Sequence, residues 1–92
     1  LYGQPCDLDK INQYTNNKYT NQPIHHIIDG AQSFGATYKN KAEVHYCDIY
    51  TTSFFPAKPL GCFGDGGAIL TDNSELAEKI KMLRVHGQNK RY

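Results

Sequence analysis

The sequence lacks tryptophan and has a single methionine and only three cysteines, Cys6, Cys47 and Cys62. Because the cysteines are odd in number and widely separated, they predict neither a disulfide framework nor a zinc site of the CxxC kind. Free or buried thiols in a reducing compartment are the expected state, which favours a cytoplasmic protein.

Long apolar runs and an excess of one charge are also missing. The apolar runs extend over a few residues, far short of the roughly 20 that span a membrane, and the N-terminus lacks the layout of a signal peptide. Ten basic and nine acidic side chains leave a formal net charge of +1. This balance argues against nucleic-acid binding driven by bulk electrostatics, so we expect neither a membrane nor a nucleic acid as a partner.

At 92 residues, the chain is at most one small domain. It begins at Leu1 rather than at a methionine, and we expect it to start inside a larger protein. The order of apolar segments and turn signals predicts an α/β chain of strands, loops and flanking helices.

Three strands and a first helix are predicted from these segments. Asp7 stands where a helix N-cap is needed, before an apolar stripe of Leu8, Ile11 and Tyr14 on about ten helical residues. The expected strands are 23–29, 47–55 and 68–71, and the polar segment 38–43 is expected to form a hairpin-like loop.

A second helix is the clearest one in the sequence. Asp72 is the predicted N-cap, with Glu75 at capping-box spacing. Gly87 is the predicted C′ residue that ends the helix. The expected core stripe consists of Leu76, Ile80 and Leu83.

The strand that ends at Asp29 is predicted to be buried on both faces, because Ile27 and Ile28 are consecutive apolar residues. Asp29 would then lie at a carboxyl end of the sheet, the edge where ligands bind in open α/β sheets. The preceding His25 and His26 point to opposite faces of a strand, so no shared metal ion is expected.

Lys58 lies in a stiff and largely apolar loop between Pro56 and Pro59. A poorly solvated ammonium loses its proton more easily, which makes such a lysine a candidate amine nucleophile. A surface lysine in a tight turn is the alternative interpretation of this segment alone. A generic phosphate-binding loop at 64–67 is a weaker one, because its glycines match no phosphate-binding fingerprint.

A combination of four residues indicates a function more specifically than any one of them does: Asp29, Gln32, Ser53 and Lys58. An acid at a strand end can hold a protonated ring nitrogen, a serine can bind a phosphate, and a lysine can bond covalently to an aldehyde. Pyridoxal 5'-phosphate needs these three groups.

The sequence resembles the DegT/StrS-type nucleotide-sugar aminotransferases of the fold type I pyridoxal-phosphate enzymes. The resemblance extends over essentially the whole chain, in the same order and spacing, including the 29 residues from the aspartate to the lysine. Its motifs lie at 1–4, 29–36 (DGAQSFGA), 52–61 (TSFFPAKPLG), 64–68 (GDGGA) and 86–88 (HGQ).

The resemblance implies a catalytic role for Lys58, as the lysine that bonds to the cofactor and moves the proton. It implies that Asp29 holds the pyridine nitrogen, that Gln32 lies near the 3-hydroxyl and that Ser53 binds the phosphate. Histidine replaces the lysine in related sugar dehydratases, so Lys58 favours amino transfer over dehydration. Two positions depart from the family: Ile28 replaces a usual acid, and Gly30 replaces a usual alanine or cysteine and is expected to loosen the turn after Asp29.

The implied fold is a three-layer αβα fragment of the fold type I large domain, with a mostly parallel sheet. Residues 1–92 would form part of that pyridoxal-phosphate-binding domain, without its N-terminal part and without the C-terminal small domain. The implied reaction transfers an amino group from glutamate to a UDP- or dTDP-linked keto-sugar, for bacterial surface polysaccharides such as lipopolysaccharide or for other glycans. The full-length protein would be a homodimer, and the alternative is a truncated, non-catalytic fragment.

Overall fold

The computed structural model describes residues 2–16, 22 and 24–87. Leu1, Pro23 and Gln88, which belong to the predicted motifs and the first predicted strand, lie outside this part of the chain. The helices are α1 (Leu8–Thr15), a 3-10 helix (Glu43–Tyr46) and α2 (Ser74–Arg84). The strands are β1 (Ile27–Asp29), β2 (Thr37–Tyr38), β3 (Lys41–Ala42), β4 (Ile49–Ser53) and β5 (Gly67–Leu70).

The main sheet has the strand order β1-β4-β5, with β4 in the centre. β1 runs parallel to β4, and Asp29 pairs with Thr51. β5 runs antiparallel to β4, because loop 54–66 returns the chain directly without a crossover helix. The described chain is therefore a small α/β unit with a mixed sheet, and the three layers and the mostly parallel sheet are not confirmed.

Burial is concentrated on β4, whose Tyr50 is 2% exposed and whose Thr52 is 7% exposed. Leu8 and Tyr50 are the buried hydrophobic residues among those described. Ile27 on β1 is 65% exposed, so the prediction that this strand is buried on both faces is wrong for the described chain. The reason is that strand side chains point to the faces of the sheet, and the described elements leave the face that carries Ile27 largely uncovered.

Helix α1 begins as predicted, with Asp7 as its N-cap. The Asp7 carboxylate accepts hydrogen bonds from the Lys10 backbone N–H at 3.2 Å and from the Tyr38 hydroxyl at 2.8 Å. These two bonds, Tyr38 first, hold the pKa of Asp7 below its ordinary value. Of the predicted stripe, Leu8 is buried, whereas Ile11 and Tyr14 are exposed, so the helix buries only its first turn.

Strands β2 and β3 form the predicted hairpin. Lys39 and Asn40 at its tip have φ values of 47° and 65°, the left-handed conformation required by a two-residue type I′ turn. Tyr46 packs edge-on against Tyr38 at 5.4 Å between ring centroids, which fixes the hairpin beside the 3-10 helix.

Helix α2 is capped by Asn73, so the predicted Asp72 cap and its capping box are wrong by one residue. Asn73 Oδ1 accepts from the backbone N–H groups of Glu75 and Leu76 at 2.9 and 3.1 Å. Both residues are common N-caps, and only the backbone path decides which of two neighbours lies at the helix start.

The other end of α2 also differs from its prediction by one residue. Val85 is the C-cap, so His86 with φ 61° is the C′ residue, and Gly87 donates to the Met82 carbonyl at 2.8 Å as the next residue of the turn. Leu83 is 74% exposed, so it does not belong to the predicted core stripe. None of the described helices is long and apolar enough to cross a bilayer.

Asn73→Ala is expected to lower the free energy of unfolding by about 1 kcal/mol, because two backbone N–H groups lose their acceptor. Asp72→Ala is the matched control and is expected to change it by less than about 0.5 kcal/mol. Urea unfolding monitored by far-UV circular dichroism measures both. If Asp72→Ala lowered the free energy of unfolding more than Asn73→Ala does, Asp72 would be the N-cap, as the sequence predicts.

Candidate functional site

Parallel pairing of β1 and β4 brings two of the predicted site residues to one edge of the sheet. Asp29 ends β1 and Ser53 ends β4, and both strands present their carboxyl ends there. Because Asp29 pairs with Thr51, Ser53 lies two residues farther along its strand in the same direction. Ligands bind at such an edge in open α/β sheets.

Asp29 is exposed at this edge, and its carboxylate is held by its own turn. Its Oδ1 accepts a hydrogen bond from the Ala31 backbone N–H at 3.1 Å, which forms an Asx turn. Among the described residues, Oδ2 has no protein donor. The carboxylate is therefore oriented and still has an oxygen to offer to a cationic or N–H-bearing ligand.

The turn after Asp29 is anchored to the sheet through Gly30. Its N–H donates to the Thr51 carbonyl at 2.7 Å, and its own carbonyl accepts from the Ser33 N–H and the Thr52 hydroxyl. Gly30 is buried, and a Cβ there would overlap the hydroxyl oxygen and ring carbons of Tyr50. The missing side chain makes room for Tyr50, and the expected loosening of this turn stays a prediction.

Gln32 is exposed in the same turn, and it shares a cleft of about 570 Å³ with Asp29. The other side of the cleft is formed by Leu8 and Ile11 of α1. Ser53 and Lys58 do not line it, so the cleft brings together two of the four predicted residues and not the other two.

Ser53 and Lys58 are half-buried at the start of loop 54–66. Ser53 Oγ accepts from the Phe55 N–H at 3.2 Å, and the Lys58 N–H donates to the Phe55 carbonyl at 2.8 Å. The loop is closed at its base, because Phe54 bonds through its backbone to both Cys62 and Gly66. Lys58 is thus carried on a hydrogen-bonded loop, and its amine forms no ion pair with any described residue.

An aromatic contact connects the Asp29 turn to the Lys58 loop. Phe34, from the turn, meets Phe54 edge-on at 6.1 Å between ring centroids and lies 6.5 Å from the ring of Tyr50. Tilted and edge-on pairs at these separations add to the stability gained from burial. The two predicted halves of the site are therefore joined through Phe34.

Sequence reasoning did not find the side chains that support the turn from below. Glu43 is 4% exposed and accepts a hydrogen bond from Ser33 Oγ at 2.5 Å, and the Tyr50 hydroxyl lies 3.4 Å from the same carboxylate oxygen. Burial raises the pKa of Tyr50; its hydrogen bond with Ser33 acts in the opposite direction, and the charge of Glu43 raises the pKa further. Glu43 lies in a polar segment, and nothing in the sequence of that segment predicts a buried carboxylate.

The paired histidines have separate partners. His26 Nε2 lies 2.7 Å from the Thr15 hydroxyl, and His25 Nδ1 lies 3.5 Å from Asp48. Within the ranges that the structure describes, no group of three or more potential ligands could hold a metal ion.

The whole chain, residues 1–92, matches the sequence profile of the DegT/DnrJ/EryC1/StrS aminotransferase family. It is 52% identical over 92 residues to the UDP-2-acetamido-2-deoxy-3-oxo-D-glucuronate aminotransferase of Pseudomonas aeruginosa, of which it covers 24%. It is 39% identical over 92 residues to the dTDP-3-amino-3,4,6-trideoxy-alpha-D-glucose transaminase of Streptomyces venezuelae, of which it covers 23%. The chain thus spans about a quarter of the length of these curated relatives.

Two solved structures resemble the whole chain. The crystal structure of S. venezuelae DesV in complex with a ketimine intermediate superimposes with a TM-score of 0.83 at 38% identity. A DegT DnrJ EryC1 StrS aminotransferase from Brucella abortus gives a TM-score of 0.81 at 34% identity, and the chain covers 24% of each structure. The resemblance predicted from the motifs is confirmed: the chain belongs to the DegT/DnrJ/EryC1/StrS aminotransferase family.

Proposed function

We propose that the protein containing this chain transfers an amino group to a keto group of a nucleotide-linked sugar, with pyridoxal 5'-phosphate as cofactor. The observation that carries the proposal is the match of all 92 residues to one aminotransferase family. The substrate class in this proposal comes from the relatives, which are named as aminotransferases of UDP- and dTDP-linked sugars. Glutamate is the amino donor that we propose.

The residues present fit the cofactor. The oriented carboxylate of Asp29 suits a protonated ring nitrogen, and Gln32, exposed on the same turn, offers an amide that suits polar ring substituents. Ser53 supplies a hydroxyl for the phosphate at the neighbouring strand end. Lys58, half-buried on its closed loop, supplies the amine.

When bound, pyridoxal phosphate supplies an electron sink for the carbon that gains or loses a proton. In this proposal, the negative charge of Asp29 keeps the ring nitrogen protonated, which favours electron withdrawal. Lys58 holds the cofactor covalently between half-reactions and then moves the proton as a general acid and base. Ser53 would bind the phosphate, and Gln32 would bond to a polar group of the ring.

Lysine at position 58 is also what favours amino transfer over sugar dehydration. An amine can both bond to the cofactor and return its proton, whereas the dehydratase relatives carry histidine there. The Asp29 turn and the Lys58 loop are joined through Phe34, which supports a single site assembled from both.

We further propose that residues 1–92 are part of the large domain of a longer, cytoplasmic and homodimeric enzyme, whose N-terminal part and C-terminal small domain lie outside this chain. In that complete domain, the sheet would be mostly parallel and covered on both faces. The exposed Ile27 and Ile69 at the sheet edges support additional strands or helices there. The chain alone would then be non-catalytic, and the complete enzyme would serve surface-polysaccharide or glycan synthesis.

Reductive labelling tests the assignment of Lys58. The full-length protein is mixed with pyridoxal phosphate, reduced with borohydride, digested and mapped by mass spectrometry. We expect the pyridoxyl label on the peptide that contains Lys58, because this residue is half-buried on a hydrogen-bonded loop, whereas Lys10 and Lys39 are surface residues paired with carboxylates. Label spread over the surface lysines, with none in excess at Lys58, would contradict the proposal.

A further inference from the structure

Ser33, Glu43 and Tyr50 form a buried polar cluster beneath the Asp29 turn, here called the Glu43 cluster. Their exposed fractions are 9%, 4% and 2%. Ser33 Oγ donates to Glu43 Oε2 at 2.5 Å, and the Tyr50 hydroxyl approaches the same oxygen at 3.4 Å. Ser33 and Glu43 also line the cleft that Asp29 and Gln32 share, whereas Tyr50 does not.

A buried carboxylate is costly unless donors compensate it. Glu43 forms no ion pair with a basic side chain in the described part of the chain. Its compensation comes from hydroxyl groups, chiefly Ser33. A neutral side chain would avoid this cost, so we asked what the carboxylate does that a neutral side chain would not do.

The Glu43 cluster attaches the turn 30–36 to the rest of the chain. The turn 30–36 is attached to the sheet on one side, where Gly30 bonds to Thr51 and Thr52. Glu43 attaches its other side twice, through its carboxylate to Ser33 and through its backbone N–H to the Ala36 carbonyl at 3.2 Å. Without the Glu43 carboxylate, the turn keeps its backbone bonds and the ring contacts of Phe34 but loses the side-chain bond that holds Ser33.

The two exposed site residues lie directly on this turn. Gln32 precedes Ser33 in the chain, and Asp29 is bonded to Ala31. A shift of the Ser33 backbone would therefore move Gln32 directly and Asp29 through its bond to Ala31. Small displacements of ligand-binding groups cost affinity and rate, because these depend on the geometry being fixed in advance.

We propose that Glu43 is a positioning residue, which acts through Ser33 to fix Asp29 and Gln32 for the cofactor. The inference rests on the proposed function. In this inference, Glu43 acts by holding Ser33, and its effect reaches Asp29 and Gln32 through the turn.

The test compares variants of the full-length protein. Glu43→Ala removes the acceptor, and Ser33→Ala removes the main donor with a smaller change of volume. Glu78→Gln, on the exposed face of α2, is the matched control. The dissociation constant of pyridoxal phosphate for the apoprotein, the visible absorbance of the bound cofactor, the melting temperature and amide hydrogen exchange at 30–36 are measured for each variant.

We expect both cluster variants to bind pyridoxal phosphate about tenfold more weakly, with a shifted absorbance maximum, whereas Glu78→Gln binds as the wild type does. The double variant, which combines Ser33→Ala with Glu43→Ala, should bind pyridoxal phosphate as tightly as Glu43→Ala alone, because Glu43 acts through Ser33. Faster hydrogen exchange should be confined to the turn 30–36.

Each contrary outcome has a distinct meaning. If the cluster variants melt at lower temperature but keep the wild-type affinity and absorbance, Glu43 serves stability alone and the inference is wrong. If the effects of the two single variants add in full, the route through Ser33 is wrong. If the wild-type protein itself fails to bind pyridoxal phosphate, the proposed function falls, and the inference falls with it.

Discussion

Lys58→Ala in the full-length protein is expected to abolish amino transfer, with a loss of more than about a thousandfold in kcat. The reason is that one amine is proposed both to hold the cofactor and to move the proton, and acid–base transfer alone contributes about 10²–10⁴-fold. The fold should persist, since the loop 54–66 is held by backbone bonds of Phe54, Cys62 and Gly66 rather than by the lysine side chain. Formation of the amino-sugar from the keto-sugar and glutamate is followed by mass spectrometry.

Two variants make this result specific. Lys79→Ala, on the exposed surface of α2, should keep wild-type activity. Lys58→Arg keeps the positive charge but cannot release its proton near neutral pH, so it should be as inactive as Lys58→Ala. Amino-sugar formation at the native rate in either Lys58 variant would show that another group carries the proton, and the assignment of Lys58 would be wrong.

The sequence is informative where a residue's chemistry is set by its immediate neighbours. Asp7 is recognisable as a cap from the apolar residues that follow it, and the polar residues around Lys39 and Asn40 indicate a hairpin-like loop. The strand that ends at Asp29 is also placed correctly at its carboxyl end. In each case, the deciding contact lies within four residues or follows from strand direction, so a local pattern contains the information.

The errors arise where a decision depends on the wider fold. Asp72 and Asn73 are equally good caps, and the path of the preceding loop selects Asn73. Ile27 and Ile28 are typical of a buried strand, but exposure depends on which elements cover the faces of β1. The antiparallel direction of β5 likewise depends on the path of loop 54–66. The glycines of this loop are compatible with a direct return to the sheet, but they do not predict it.

The support of the candidate site is beyond the reach of local patterns. Glu43 lies ten residues from Ser33 and seven from Tyr50, in a segment whose polarity predicts solvent exposure. Phe34 and Phe54 are far apart in the chain, and nothing in either segment indicates their contact. Chemistry-bearing residues can therefore be recognised from motifs, whereas the side chains that hold them require the fold.

Gly30→Ala is expected to lower the free energy of unfolding by about 1–3 kcal/mol, the range for inserting a methyl group into a packed core. The added Cβ would overlap the Tyr50 hydroxyl and ring, so the buried tyrosine, which is 2% exposed, would have to shift. The backbone is not the cause, because Gly30 does not adopt the positive φ that would exclude alanine. Denaturant unfolding and the affinity for pyridoxal phosphate are measured together, since Asp29 is the adjacent residue.

A second substitution isolates the contact between position 30 and the tyrosine ring. Tyr50→Val removes the ring while keeping a residue that suits a central strand, so Gly30→Ala should cost much less in that background. The two sites are in direct contact, and we expect a coupling free energy of about 1–3 kcal/mol. An equal cost of Gly30→Ala in both backgrounds would mean that the turn itself requires glycine. A cost that vanishes with the ring would instead mean that glycine is needed at position 30 because this chain places a tyrosine at position 50, where the Glu43 cluster uses its hydroxyl.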